Sequence, residues 1–142
     1  MITVSGILKN KGNDIFSVTP ASSVYDAIKL MSEKNVGALP VIDEQGLCGI
    51  FSERDYARKI VLLNRKSQET SISEIMTAKV ITVNASDSLD KCMELMSVKK
   101  IRHLPVLESG KLIGIISIGD VVTAIIQSQQ ETISHLQNYI TQ

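Results

Sequence analysis

The chain is one small unit written twice, and that repeat limits the folds open to it more than any other feature. Residues 15–58 align with residues 80–123 at a single offset of 65 (105 − 40), without a gap. Leu39-Pro40-Val41 falls on Leu104-Pro105-Val106, Gly49-Ile50-Phe51-Ser52 on Gly114-Ile115-Ile116-Ser117, and Asp55 on Asp120. Lys29-Leu30-Met31-Ser32 falls on Glu94-Leu95-Met96-Ser97, while Val24/Leu89, Val36/Ile101 and Ile42/Leu107 are conservative swaps. A weaker echo, Val4-Ser5-Gly6-Ile7-Leu8 against Ile72-Ser73-Glu74-Ile75-Met76, predicts a short helical lead-in before each copy.

Within each copy the hydrophobic period changes in a fixed order. Val24, Ala27, Ile28 and Met31 recur at helical spacing, as do Leu89, Cys92, Met93 and Met96. Ser22 and Ser23, or Ser86 and Ser88, are available as N-caps for those helices. Short apolar runs follow, 38–42 then 47–51, with mates at 104–107 and 112–116. Asp43-Glu44-Gln45-Gly46 and Glu108-Ser109-Gly110-Lys111 read as hairpin connectors. A second helix then starts at Ser52 or Ser117, and the last one runs to about Tyr139, since no Pro or Gly follows Gly119. The pattern is α/β: two βαββα units. One such unit is too small to cover both faces of its sheet. Two copies packed together can do so, with pseudo-twofold symmetry and two half-sites facing a central cleft. The boundaries are a lead-in at 1–14, a first repeat at 15–63, and a polar linker with a short lead-in helix at 64–79. A second repeat covers 80–126, and a helical extension covers 127–142.

Composition narrows the function. Fifteen basic and fifteen acidic residues cancel, which speaks against a nucleic-acid-coating protein. No apolar run is long enough to span a bilayer, and residues 1–11 lack the apolar centre of a signal peptide, so the expected compartment is the cytosol. Cys48 and Cys92 sit in apolar patterns and read as small core residues, with no metal-ligand spacing around them. His103 and His135 have no Cys or Ser at a meaningful spacing, and neither a P-loop nor a G-x-G-x-x-G is present, so an enzyme is not expected.

The informative segments are Gly49-Ile50-Phe51-Ser52-Glu53-Arg54-Asp55 and Gly114-Ile115-Ile116-Ser117-Ile118-Gly119-Asp120. Each places Gly, two apolar residues, Ser and Asp where a strand enters a helix. Helix N-termini favour phosphate. A Ser hydroxyl there can donate to a phosphate oxygen, an Asp one turn on can accept from vicinal ribose hydroxyls, and the Gly leaves room for a base or sugar. The same Ser-x-x-Asp also forms a capping box worth ~1 kcal/mol, and the two roles can coexist.

The order Met-x-x-x-x-Val/Ile-x-x-Leu-Pro-Val followed by Gly-Ile-x-Ser-x-x-Asp resembles the CBS domain, and its doubling resembles a Bateman module, from about Val4 to Ala124. Ser52-Glu53-Arg54-Asp55-Tyr56 and Ile101-Arg102-His103-Leu104-Pro105 are similar to the stand-alone single-pair proteins. That resemblance implies an adenine-containing ligand: AMP, ADP or ATP first, NAD or S-adenosylmethionine next, and no metal. It implies ribose contacts at Asp55 and Asp120 and phosphate contacts at Ser52 and Ser117. It also implies base-pocket residues at Val36, Gly37 and Ala38, and at Ile101, Arg102 and His103, with Pro40, Pro105 and Ile115 as further ligand-binding positions. Val18, Thr19 and Pro20, with Val83 and Asn84, are expected to contribute from the strand ahead of each first helix. Gly37 and Ala38 leave room in the first half-site and Arg54 adds charge near a phosphate there; the second half-site has Gly119, with Arg102 and His103 placed to meet a phosphate held mainly by the other half. Arg58 and Lys59 are expected to be a solvated helix face. The resemblance further implies a homodimer, with a tetramer left open, and a regulated partner protein in trans. The alternative is a dimeric scaffold with vestigial sites. There the stripe of Val121, Val122, Ile125 and Ile126, continued by Ile133, Leu136 and Ile140, makes the contacts.

Overall fold

A computed structural model describes residues 1–12 and 14–141. The chain runs α1 (Val4–Lys11), α2 (Val24–Lys34), β1 (Ala38–Asp43), β2 (Gly46–Ser52) and α3 (Glu53–Tyr56). A π-helical turn (Ala57–Val61) and a 3-10 turn (Ser67–Glu69) lead to α4 (Ile72–Ile75). Then come β3 (Val83–Asn84), α5 (Leu89–Lys99), β4 (His103–Glu108), β5 (Lys111–Ser117) and α6 (Ile118–Thr141). Residues 13 and 142, at the ends of the expected lead-in and extension, lie outside the described residues.

The elements gather into two units. One holds Asp14–Ile81 with Ser109–Leu112; the other holds Met1–Asn13, Thr82–Glu108 and Ile113–Gln142. The repeat is visible inside each of them as a repeated core. In the first-repeat unit Val18, Val24, Ala27, Met31, Leu39, Val41 and Phe51 are buried. Their mates at the offset of 65, Val83, Leu89, Cys92, Met96, Leu104, Val106 and Ile116, are buried in the other. The two first helices start and stop alike. Ser23 Oγ accepts from the Asp26 amide at 3.0 Å and Ser88 Oγ from the Lys91 amide at 3.1 Å. Asn35 and Lys100 end those helices in the left-handed region.

The two sheets differ. In the second-repeat unit the order is β3-β4-β5, with β3 parallel to β4 and Val83 opposite Val106. In the other unit β1 and β2 form an antiparallel pair, and the expected leading strand shrinks to a single parallel bridge, Val18 to Val41. The register is the same in both, Val18 opposite Val41 and Val83 opposite Val106, and only the length of pairing differs. Within β1–β2 the register shifts between Val41 and Ile42, which leaves Cys48 as the extra residue of a bulge. Cys48 is accordingly half-buried and packs against the core of its unit, with its thiol donating to the Val41 carbonyl at 3.4 Å. Cys92 is fully buried as expected.

The lead-in helices are exchanged between the repeats. Helix α1 precedes the first repeat in sequence but packs in the unit of the second: Thr3 bridges Ser88, and the Leu89 amide donates to the Ile2 carbonyl at 3.0 Å. Helix α4 precedes the second repeat but packs in the unit of the first: Ser71 bridges Ser23, and the Val24 amide donates to the Thr70 carbonyl at 2.9 Å. The stretch expected to be a plain polar linker therefore ends in a buried residue, Thr70, whose hydroxyl donates to the Lys66 carbonyl at 2.8 Å.

Candidate functional site

Both Ser-x-x-Asp segments lie where a strand enters a helix, and both are closed capping arrangements. At the first, the Ser52 amide and hydroxyl donate to Asp55 Oδ2 at 3.0 and 3.2 Å, and the Asp55 amide donates back to Ser52 Oγ at 3.3 Å. At the second, the Ser117 amide donates to Asp120 Oδ2 at 2.8 Å and the Asp120 amide to Ser117 Oγ at 3.1 Å. One further helix-start amide is also taken in each: Glu53 donates to the Gly37 carbonyl at 3.1 Å, and Ile118 to the Arg102 carbonyl at 2.8 Å. The helix starts therefore offer a phosphate fewer free N–H groups than a bare N-terminus would. Local caps already satisfy most of them, so the serines and carboxylates would serve a ligand through their remaining lone pairs and hydroxyls.

The carboxylates have further partners that the sequence did not reveal. Thr77 Oγ1 donates to Asp55 Oδ1 at 3.2 Å, and Lys59 Nζ lies 3.1 Å from the same oxygen. Lys59 also donates to the Ile75 carbonyl at 2.9 Å, so it is a bridging residue and not part of a solvated face. Arg58 is exposed, as expected. Asp120 receives Lys11 Nζ at 2.6 Å, and the same ammonium donates to the Ile115 carbonyl at 2.6 Å. Lys11 and Thr77 carried no sequence signal, because the exchange of the lead-in helices is what brings them to the carboxylates.

The glycines of the motif have a different use from the one expected. A Cβ at Gly49 would sit 2.5 Å from Met76 Sδ, and one at Gly114 would sit 2.8 Å from Leu8 Cδ2. The space is filled by side chains at the lead-in helices, so these glycines admit protein, not a base or sugar. A Cβ at Gly119 meets only Ser117 Oγ at 3.5 Å, an ordinary contact.

The other expected residues fall into two groups. In the first-repeat unit Gly37 and Ala38 adjoin the Ser52 cap, since Ala38 pairs with Ser52, and Val18 adjoins Pro40 through its amide at 3.1 Å. Ala38, Pro40 and Val18 are buried; Val36, Gly37, Pro20 and Arg54 are half-buried; Thr19 is exposed and its amide donates to Ser22 Oγ at 3.1 Å. In the other unit Arg102 adjoins the Ser117 cap through its carbonyl, and Val83 lies beside Val106. Val83 and Pro105 are buried, Ile101, His103 and Ile115 half-buried, and Asn84, Arg102 and Gly119 exposed. Among the described residues no three His, Cys, Asp or Glu side chains gather as a metal-binding group, and no helix is long and apolar enough to cross a membrane.

The electrostatics of the second cap give it a pH signature. Burial pushes the Asp120 carboxyl up, but hydrogen bonds from Lys11 and the Ser117 amide outweigh it and hold the group below its ordinary value of 3.8. Asp87 is held low chiefly by the Asn84 amide, against burial, with Lys91 helping. A carboxyl whose folded value is depressed contributes stability above its unfolded value and loses it as pH falls through the folded one. Urea midpoints should therefore fall as the pH drops below the ordinary carboxyl range near 3.8, and Asp120→Asn should flatten part of that fall. An unchanged profile in Asp120→Asn would show that the Lys11 pair contributes nothing to the folded state.

Comparison with known proteins agrees with this geometry. The CBS-domain profile matches residues 4–62 and again 72–127. The mitochondrial CBS domain-containing protein CBSX3 of Arabidopsis thaliana is 41% identical over 147 residues, 97% of this chain and 71% of that protein. A CBS-domain protein of Burkholderia ambifaria MC40-6 superposes with a TM-score of 0.86 at 55% identity, over 89% of this chain and 96% of that one. CBSX2, solved in complex with AMP, superposes with a TM-score of 0.72 at 34% identity, over 91% and 99%. With two matched copies, a doubled core and the doubled Gly-x-x-Ser-x-x-Asp cap, the chain belongs to the CBS-domain family, as a tandem pair.

Proposed function

We propose that this CBS pair is a regulatory module that binds an adenine nucleotide of the AMP type and passes occupancy to a partner protein in trans, with no catalysis of its own. The observation that carries the reading is the recurrence of one carboxylate–serine cap, at Ser52–Asp55 and Ser117–Asp120, in a chain similar to a CBS pair solved with AMP. An Asp there can accept from two vicinal ribose hydroxyls while its serine faces the phosphate. Gly37 and Ala38, or Arg102 and His103, border the base or the phosphate. ATP, ADP, NAD and S-adenosylmethionine share the adenosine and compete as ligands.

Binding that favours the native state raises the melting temperature. A ligand at 100 times its Kd adds about 2.7 kcal/mol, which at this chain length is several degrees, at roughly 2–4 °C per kcal/mol or more. Melts with AMP, ADP, ATP, NAD and S-adenosylmethionine should show such a shift for at least one of them and none with inorganic phosphate.

A second reading, a dimeric scaffold with vestigial sites, draws on α6. Val122, Ile126, Ile133, Leu136 and Ile140 are 48%, 49%, 53%, 58% and 79% exposed. They recur at spacings that fit a single 3.5-residue seam along the helix. A homodimer through this seam is compatible with both readings; a single-chain mass by light scattering would remove it. Flat melts across the nucleotide panel would leave the scaffold as the better account.

A further inference from the structure

The two carboxylates are held by unlike devices at matched acceptors. At the offset of 65, Ile50 corresponds to Ile115 and Asp55 to Asp120. In the first-repeat unit one residue, Thr77, serves both acceptors: its amide donates to the Ile50 carbonyl at 2.9 Å and its hydroxyl to Asp55 at 3.2 Å. The Thr77 carbonyl in turn accepts from the Ile50 amide at 2.9 Å, so this holder is fixed by a two-bond backbone bridge. In the other unit the matched acceptors are served by the Lys11 ammonium, at 2.6 Å to each. That ammonium stands at the end of a four-carbon stem on the last residue of α1, and the side chain is 36% exposed.

We infer that Lys11 is a retractable occupant of the second half-site, and that Asp120, not Asp55, is the carboxylate a nucleotide engages. This rests on the proposed nucleotide-binding function. To free Asp55 Oδ1, a ligand must displace the hydroxyl of Thr77, whose backbone is pinned beside it by the bridge to Ile50, while Lys59 still stands on the same oxygen. To free Asp120, it need only turn one lysine side chain into solvent. A lysine stem is flexible and its ammonium is readily hydrated, so the displaced group loses little. The way out is open: Lys11 and Asp120 share the wall of a cleft of about 410 Å³ between α1 and α6, with Thr3, Asn10, Thr123 and Gln127 around it. The repeat therefore builds one structural lock and one responsive site from the same motif. Lys11 sets the threshold at which ligand enters.

Calorimetric titration of AMP into the wild type, Lys11→Met, Asp120→Asn and Asp55→Asn tests this directly. Lys11→Met keeps the stem and removes the competing charge. An exposed ion pair of up to ~1 kcal/mol corresponds to about two- to five-fold tighter AMP binding once it is gone. Asp120→Asn should remove measurable binding, whereas Asp55→Asn, with its melt showing it folded, should retain binding with the smaller loss of affinity. Unchanged or weaker binding by Lys11→Met overturns the occupant role while the nucleotide reading stands. Loss of binding in Asp55→Asn with retention in Asp120→Asn overturns the choice of half-site. An absence of AMP binding in every variant, with melts showing folded protein, overturns both this inference and the function it rests on.

Discussion

Truncating Phe51 to Ala is expected to destabilise the fold by about 3–5 kcal/mol. Phe51 is fully buried at the centre of the cluster formed by Val18, Val24, Leu39, Val41, Ile60, Ile72 and Ile75. It lies on β2 directly before the Ser52 cap, so its ring anchors the strand that delivers Ser52 and Asp55 to the helix start. The loss combines the transfer energy of the ring with the cavity left behind. Its mate at the repeat offset, Ile116, is also fully buried, and Ile116→Ala should cost about 2–5 kcal/mol. Urea denaturation monitored by far-UV circular dichroism measures both. A loss below about 1.5 kcal/mol for Phe51→Ala would mean that the cluster is not a packed core.

The second large effect is expected at Gly49. A Cβ there would meet Met76 Sδ at 2.5 Å, Met76 Cγ at 3.1 Å and the Thr77 carbonyl at 3.2 Å. The methionine can rotate aside, but the carbonyl is held in its bridge to Ile50 and cannot. Gly49→Val should therefore cost about 1–3 kcal/mol through overpacking. It should also push the end of α4 outward and loosen the Thr77 contact with Asp55. At Gly114 the close neighbours of the same added atom are the methyl ends of Leu8, at 2.8 and 3.3 Å. Those can rotate, so Gly114→Val should be the milder change. Equal midpoints for the two variants, or a milder Gly49→Val, would show that the lead-in helices do not press on the strands as described.

The repeat made most of the core legible from residue types alone. Most of the buried apolar positions between Val18 and Phe51 have a buried mate in the other copy because two similar sequences solve the same packing problem at the same register. The Ser-x-x-Asp caps were legible for the same reason, since capping is a local event within one turn. What escaped was long-range. Nothing in Val4-Ser5-Gly6-Ile7-Leu8 or Ile72-Ser73-Glu74-Ile75-Met76 says which copy each lead-in will join, because both present the same apolar spacing. Their exchange places Lys11 on Asp120 and Thr77 on Asp55, and fills the space beside Gly49 and Gly114 with Met76 and Leu8. Lys59 looked like a solvated residue because helical spacing alone does not show that the Ile75 carbonyl waits opposite it. The bulge at Cys48 likewise depends on β1–β2 pairing, which a single strand's alternation does not encode.

The function rests on the claim that a nucleotide ribose is held by a carboxylate of the doubled cap. A crystal structure of the protein grown with AMP tests it most directly. The expected density places the ribose hydroxyls at about 2.5–3.0 Å from the Asp120 carboxylate, with the Lys11 ammonium turned away from it. AMP bound remote from both Asp120 and Asp55, with the Lys11 and Thr77 contacts intact, would contradict the claim and leave both motifs as helix caps.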